Sequence, residues 1–383
     1  MSHLLQVLLV RQPTTDESLR LARRLAVSGP APYVIQTIGQ LVRSTKSPKR
    51  SLYESMDHLI VVHRAAPRPD GEHLTLASLA DADMVLVGLF GTERGARHEG
   101  TLSARPTAGR TDAEVNEAVR LALAAIKAEM PSHLDPETSF IMYASCPTPI
   151  VNYIIKEMPL LWDDHLYEMY ASDKAPTQFG VHMGSSWVDE QTGETFFVDR
   201  IRVSDIDYVS ASQCLLGQER IVLTLRARER CNQMLAEKTV DYDFDYLEFI
   251  TQTYPFTELN CMIRAFPKGV DPPTASHEQG EPAAWVSTHH DLSIAALAIR
   301  EAFRRRKLAA KCVEVVSHPQ SEFMRTHFPA LFGESTTPPV SFGMVKDGNV
   351  ASIRTMEGCG FSKVEGVRFH WIGIKLASIP SVE

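Results

Sequence analysis

Ile299-Arg-Glu-Ala-Phe-Arg-Arg-Arg-Lys-Leu-Ala309 is the stretch on which the fold turns. The run leading into it, Leu292-Ser-Ile-Ala-Ala-Leu-Ala-Ile-Arg300, is short, β-compatible and almost uncharged, and predicts a strand. The run leaving it, Leu308-Ala-Ala-Lys-Cys-Val-Glu-Val-Val316, spaces its apolar residues as a buried helix face does. A strand that turns into a helix offers free backbone N–H groups and the positive end of a helix dipole. Arg304, Arg305, Arg306 and Lys307 crowd that junction, which makes it a candidate cradle for a phosphorylated ligand. Charge runs also occur as plain solvated faces, and charge alone does not separate the two readings.

The rest of the composition narrows the choice. The chain has 383 residues, 44% hydrophobic and 22% charged, with a formal net charge of −8. That balance is ordinary for a globular protein and argues against a general nucleic-acid surface. The basic cluster is therefore local, and suits a small anion better than a polyanion. Six cysteines are scattered without a CxxC pair, which fits a reducing compartment and predicts neither a disulfide framework nor a zinc site. Asp163-Asp164-His165 resembles a metal trio in composition only, and no metal is expected. No apolar run approaches the roughly 20 residues of a membrane helix. Residues 2–10 read as a first strand. The expected location is cytoplasmic; Arg11, Arg20, Arg23 and Arg24 leave a mitochondrial leader as the alternative, against which Asp16 and Glu17 weigh.

Strand and helix signals alternate along the chain. Strands are predicted at Leu4–Val10, Leu59–His63, Met84–Phe90 and Ser139–Ala144, and helices at Asp16–Val27, Asp112–Met130 (with Thr111 as N-cap) and Ile150–Met158. Gly91–Arg110, rich in Gly, Arg and Thr, predicts a mobile loop. Trp187–Val198 reads as a hairpin or an interdomain link, and the boundary is placed there, giving units 1–185 and 195–383. In the second unit a strand at Asp199–Val203 runs into the N-cap Ser204-Asp205-Ile206-Asp207, followed by a helix through Leu216 and another at about Tyr242–Tyr254. Strands at Cys261–Phe266, Ala283–Thr288, Leu292–Arg300 and Pro339–Val345 follow. A short helix at Val350–Cys359 and a strand pair at Gly366–Leu376 close the pattern. Both halves open as an apolar strand and an N-capped helix, which leaves room for a diverged duplication.

Three local signatures in this order resemble the GNAT superfamily of acyl-CoA-dependent N-acyltransferases. They are Ile201-Arg-Val-Ser-Asp-Ile-Asp207, the Ile299–Ala309 segment, and Asn349-Val-Ala-Ser-Ile-Arg-Thr-Met-Glu-Gly-Cys-Gly-Phe361. Within the superfamily the chain is most similar to the glycine N-acyltransferase-like branch, through Phe140-Ile-Met-Tyr-Ala144 and the order of Cys261–Arg264 and Pro282-Ala-Ala-Trp285. The resemblance implies an α/β fold whose C-terminal half is a mixed sheet with flanking helices, preceded by an N-terminal α/β unit. It implies coenzyme A as the acyl carrier and a small amine, such as an amino acid, as acceptor. Arg304, Arg305, Arg306, Lys307, Leu308 and Ala309 would hold the pyrophosphate. Leu297, Ala298 and Ile299 would run beside the pantetheine arm, and Asn349 and Ser352 would contact it.

Two positions depart from the family pattern. Lys307 stands where glycine is usual, and Met356 stands where a tyrosine often protonates the leaving thiolate. An amine nucleophile also needs a base, because an ammonium ion has no lone pair. His289-His290-Asp291 supplies candidates, Asp291 first and His290 second, although the same triplet is a plausible hairpin turn. The expected function is N-acyl transfer. The alternative is an acyl-CoA-binding protein that keeps the fold with little or no turnover.

Overall fold

The computed structural model describes residues 5–11, 14, 17, 20–21, 58–64, 83–90, 97–104, 111–130, 132, 134–172, 175–201, 260–272, 280–288, 292–327 and 341–381. Thirteen strands in these residues form one continuous mixed sheet. They are β1 (Leu5–Arg11), β2 (His58–Arg64), β3 (Asp83–Phe90), β4 (Arg97–Ala104), β5 (Phe140–Pro147), β6 (Leu160–Ser172), β7 (Ser186–Val188), β8 (Thr195–Asp199), β9 (Cys261–Phe266), β10 (Glu281–Thr288), β11 (Ile294–Ile299), β12 (Ser341–Lys346) and β13 (Ser362–Lys375). The helices are α1 (Asp112–Glu129), α2 (Thr148–Glu157), α3 (Leu308–His327) and α4 (Val350–Gly358).

The sheet order is β1-β2-β3-β4-β5-β13-β6-β12-β11-β10-β9-β8-β7. Read from its two ends, it repeats one plan. β1 to β4 pair antiparallel in sequence order and β4 pairs β5 in parallel. Equally, β8 to β11 pair antiparallel and β11 pairs β12 in parallel. Each parallel crossover carries a helix, α1 or α3, as parallel neighbours require. The last strand of each repeat crosses over: β6 pairs with β12 of the second repeat, and β13 pairs with β5 of the first. β6 and β13 also pair with each other at the centre.

The cores follow the same exchange. Val119, Ala122, Leu123 and Ile126 recur on one side of α1, at the spacing of a helix face, and are buried over β2 and β3. That core is completed by Ile372 and Ile374 of β13 and by Leu376 and Ile379 beyond it. The second core lies under α3, around Leu308, Cys312, Val315 and Val316, and takes in Tyr170 of β6. Burying each large apolar side chain contributes about 1.5–3 kcal/mol, so neither core is complete without a strand from the other repeat.

The α/β class expected from sequence is met, and the second copy of the plan is real. The hairpin at residues 186–199 forms as read, as does the capping box on α1, in which Thr111 and Glu114 exchange hydrogen bonds. Three expectations are corrected. Residues 97–104 form β4 instead of a loop, held by ladders on both sides. The C-terminal strand pair is a single strand, β13, whose register breaks between Lys363 and Arg368, where Gly366 takes φ +74°. Residues 160–172, given no element from sequence, form β6, so Asp163, Asp164 and His165 lie on a strand. Of the strand expected at Asp199–Val203, Asp199 ends β8 and Arg200 and Ile201 are not strand. The helix expected at Asp16–Val27 (save Glu17, Arg20 and Leu21), the elements expected over 202–259, and His289, His290 and Asp291 lie outside the described residues.

Candidate functional site

The two parallel contacts in the sheet differ. β4 and β5 are in register over four residue pairs, from Arg97–Phe140 to Gly100–Tyr143. β11 and β12 pair only through Ile294 and Gly343 and part company beyond that point. A Cβ at Gly343 would lie 3.0 Å from the Met356 Cε and 3.4 Å from the Ile294 carbonyl oxygen, so the vertex is closely packed. From the vertex each strand runs to its C-terminal end and into a helix, β11 into α3 and β12 into α4. Two helix N-termini therefore flank one split, with partial positive charge at each.

At the α3 side the chain makes a 3-10 turn at Glu301–Phe303, passes through Arg304–Lys307 and enters the helix. Arg305 and Lys307 adopt φ of +66° and +59°, the left-handed region where an L side chain costs roughly 1–2 kcal/mol. Lys307 thus takes the backbone conformation glycine supplies freely. No acidic residue sits in the first turn of α3. The N–H groups of Leu308, Ala309 and Ala310 have no intrahelical acceptor by construction. Arg304, Arg305 and Lys307 are exposed beside them.

Arg306 has a different task from the one expected. Its guanidinium donates to Asp189 at 3.0 Å and Glu194 at 2.6 Å, both in the β7–β8 turn, and to the Ala302 carbonyl at 3.2 Å. It also lies over the rings of Phe303 and Phe196 at 5.3 and 5.8 Å. Phe303 is buried and meets Phe196 edge to face. Arg306 therefore fixes the loop, while Arg304, Arg305 and Lys307 stay exposed at the helix start.

A second brace comes from Glu314, a buried carboxylate on α3 that accepts from the backbone N–H of Phe179 and of Val181 at 2.8 and 2.9 Å. The segment so held lays Phe179 and Trp187 against Lys311, whose Nζ stands 4.8 and 4.2 Å from the two ring centres. Burial draws the Lys311 ammonium below the usual lysine range, against the pull of Glu314. Neither Glu314 nor Lys311 was singled out from sequence; the signal was one carboxylate within the apolar run Cys312–Val316.

At the α4 side Asn349 is the N-cap, accepting from the Ser352 N–H at 3.2 Å. Asn349 and Ser352 thus stand together at the start of α4, the helix that follows β12. Met356 is a core residue packed on Gly343, so α4 puts no ionisable group at that position. Cys359 is buried, with its thiol pushed up to about 11 chiefly by that burial, and is no nucleophile at neutral pH. Among the described residues no group of His, Cys, Asp and Glu is arranged to hold a metal ion, and no helix is long and apolar enough to cross a membrane.

The equivalent helix start in the first repeat is built the other way. At α1 the Glu114 N–H is taken by Thr111 at 3.4 Å, and the Glu114 carboxylate returns to the Thr111 N–H at 3.2 Å. Asp112 and Glu114 put negative charge where α3 has none. Arg105 and Arg110 precede it in sequence, outside the described residues.

By sequence, no family model and no curated protein matches the chain. Solved structures do resemble it. An X-ray structure of a Drosophila protein aligns over 97% of this chain and 99% of its own, at 12% identity and a TM-score of 0.51. At this identity the likeness is one of fold. Its structural neighbours also include GNAT-fold proteins at low identity. One is a tandem GNAT protein from the clavulanic acid biosynthesis pathway, with 12% identity, 99% and 100% of the two chains covered and a TM-score of 0.47. Another is a GCN5-related N-acetyltransferase from Sphaerobacter thermophilus, with 9% identity, 98% and 97% covered and a TM-score of 0.45.

Proposed function

We propose that this chain is an acyl-CoA-dependent N-acyltransferase of the glycine N-acyltransferase-like kind, with small amines, amino acids among them, as acceptors. The observation that carries the reading is the split between β11 and β12, which opens from the Ile294–Gly343 vertex toward the bare, basic start of α3. A pyrophosphate suits that helix start, where unpaired N–H groups, the dipole and the cations of Arg304, Arg305 and Lys307 act together. The split gives an uncharged pantetheine arm a strand edge, Leu297–Ile299, with which to exchange backbone hydrogen bonds. Asn349 and Ser352 lie on the other side of the same opening.

In the reaction the amine nitrogen attacks the thioester carbonyl carbon. A C–N bond forms, the C–S bond breaks and coenzyme A leaves as the thiol. Starting from an ammonium ion, two protons leave nitrogen; one ends on sulfur and one goes to solvent through a base. Holding amine and thioester together supplies much of the acceleration such a transfer needs. Asp291, then His290, stands first for the base, on the sequence pattern alone.

A second reading, an acyl-CoA binder with little turnover, is favoured by Met356, which leaves α4 without a proton donor for the thiolate. Coenzyme A raises the melting temperature under both readings, by the equivalent of about 2.7 kcal/mol at a hundredfold excess over Kd. Thiol release from acetyl-, benzoyl- and longer acyl-CoAs with a panel of amines separates them. An unchanged melting temperature with coenzyme A would sink both.

A further inference from the structure

Ser317-His-Pro-Gln-Ser321 interrupts the apolar run of α3, yet Ser317, Gln320 and Ser321 are buried. Pro319 has no N–H to give to the Val315 carbonyl, and the Ser321 hydroxyl donates to the Ser317 carbonyl at 2.8 Å. The bonding of the helix is thus altered at this point. Gln320 makes the widest connection. Its Nε2 donates to the Leu292 carbonyl at 2.9 Å and, at the longer distance of 3.5 Å, to Thr288 Oγ1. Its Oε1 accepts from the Ser341 hydroxyl, which also lies 3.1 Å from Ser317 Oγ. Two N–H groups and one oxygen are what a glutamine amide has to offer, and each is engaged.

The places joined are the closed end of the split. Thr288 ends β10, Leu292 stands two residues ahead of Ile294, and Ser341 begins β12 two residues ahead of Gly343. Gln320 therefore ties the two parallel strands together directly below the Ile294–Gly343 pair. Leu292 takes φ +69°, a left-handed backbone that an L residue keeps only where its surroundings hold it.

Among the described residues, the first repeat has neither tie nor split. Counted from the helix start, Gln320 corresponds to Ala124 of α1, and the stretch around it, Leu121–Ile126, is apolar throughout. There β4 and β5 stay in register over four residue pairs. A ladder that runs on holds its strands by its own backbone bonds. Two strands that part after a single pair need another hold at the closed end, or the vertex can move along them.

We infer that Gln320 is a positioning residue for acyl transfer: its amide fixes the point at which β11 and β12 part, and with it the end of the split farthest from the basic start of α3. The inference rests on the acyl-transfer reading above. In that reading the phosphates sit at the open end, beside Arg304 and Lys307, and the thioester reaches down toward the vertex. Gln320 therefore acts on where the thioester carbonyl stands and leaves the phosphate contacts alone. Displacing reacting groups by about 1 Å can cost roughly 100-fold in rate.

The test is made on the full chain with Gln320→Met, which keeps the length of the side chain and removes the amide, and with Ser341→Ala, which removes one arm of the tie. With acetyl-CoA and an accepted amine, Gln320→Met should lower kcat roughly 10- to 100-fold, while the KM for acetyl-CoA and the Kd for coenzyme A move less than about threefold. Ser341→Ala should lower kcat in the same way but less. Ile372→Ala, in the core of the other repeat, is the control for lost stability: assayed below its melting temperature, it should keep the parental kcat. A fall in kcat no greater for Gln320→Met than for Ile372→Ala overturns the inference, and so does an effect carried by KM alone. If Gln320→Met does not fold, Ser341→Ala decides by the same comparison. If acetyl-CoA binds without turnover, hydrogen exchange reads the split directly. Faster exchange of the Gln320→Met protein confined to residues 294–299 and 341–346 supports the inference; exchange that is unchanged, or faster throughout, overturns it. Failure of coenzyme A to stabilise the parent protein is a separate result, which removes the acyl-transfer reading and the inference with it.

Discussion

The Arg306 guanidinium donates to the Asp189 carboxylate at 3.0 Å, across 117 positions of sequence. With Glu194 at 2.6 Å on the same nitrogen, this contact pins the loop ahead of α3 to the turn between β7 and β8. Removing the guanidinium leaves two half-buried carboxylates facing each other. Arg306→Ala is expected to cost about 1.5–3 kcal/mol, the range for hydrogen bonds to charged groups. Arg306→Lys should recover little of it, because an ammonium lacks the planar fork and its stacking on Phe303 and Phe196. Urea denaturation measures both. Coenzyme A affinity of the folded Arg306→Ala protein should fall less than that of the Arg304→Ala, Lys307→Ala double variant; the reverse order would return Arg306 to the cradle.

Lys307 holds a left-handed backbone without being glycine. Lys307→Gly should therefore stabilise the protein by about 1 kcal/mol, the relieved strain less the chain entropy of glycine. Lys307→Ala keeps the strain and loses the charge, so it should bind coenzyme A more weakly than the parent without a gain in stability. Melting curves of the parent and both variants, with and without coenzyme A, separate these outcomes. A Lys307→Gly protein that melts earlier than the parent would show that the lysine side chain contributes packing worth more than the strain.

The two helix starts predict a stoichiometry. α3 opens bare and basic beside a parted strand pair, while α1 opens capped and acidic beside a strand pair in register. Isothermal titration should return one coenzyme A per chain. Arg304→Ala with Lys307→Ala should remove that binding altogether, with no weaker second phase. Two equivalents would mean that the first repeat binds as well.

The crossed strands predict interdependence. Ile372 lies on β13 yet is fully buried in the core under α1, and Ile372→Ala should cost 2–5 kcal/mol, as for other buried large-to-small changes. Residues 1–185 and 195–383, expressed apart, should each lack a closed core and bind a hydrophobic dye. When co-expressed they should associate. A cooperative melting transition from either piece alone would contradict this.

Most local elements were legible from the chain because their causes are local. Thr111 and Glu114 cap a helix whose apolar residues recur at helical spacing, and the Ile299–Ala309 segment marks a strand, a turn and a helix start in eleven letters. β4 was not legible: Arg97–Ala104 is mostly polar or small, and it is a strand because β3 and β5 offer edges on both sides. β6 was hidden in the same way, since Asp163-Asp164-His165 interrupts any apolar alternation and its partners, β12 and β13, lie far along the chain. That Arg304 and Lys307 precede one helix and that Asn349 and Ser352 open another was legible from pattern. The diversion of Arg306 was not, because Asp189 and Glu194 meet it only in three dimensions. The tie made by Gln320 is likewise invisible in one dimension, where Ser317–Ser321 reads as a polar break in an apolar helix.

The exchange of β6 and β13 also has a meaning in time. A growing chain releases its N-terminal residues first and folds units as they appear. Here the first repeat emerges with an open edge on β5 and an uncovered core, and neither is filled until residues 362–375 exist. The earliest part of the protein to be made is thus among the last to be finished. Through that interval its exposed strand edge is the one most in need of shielding from other chains.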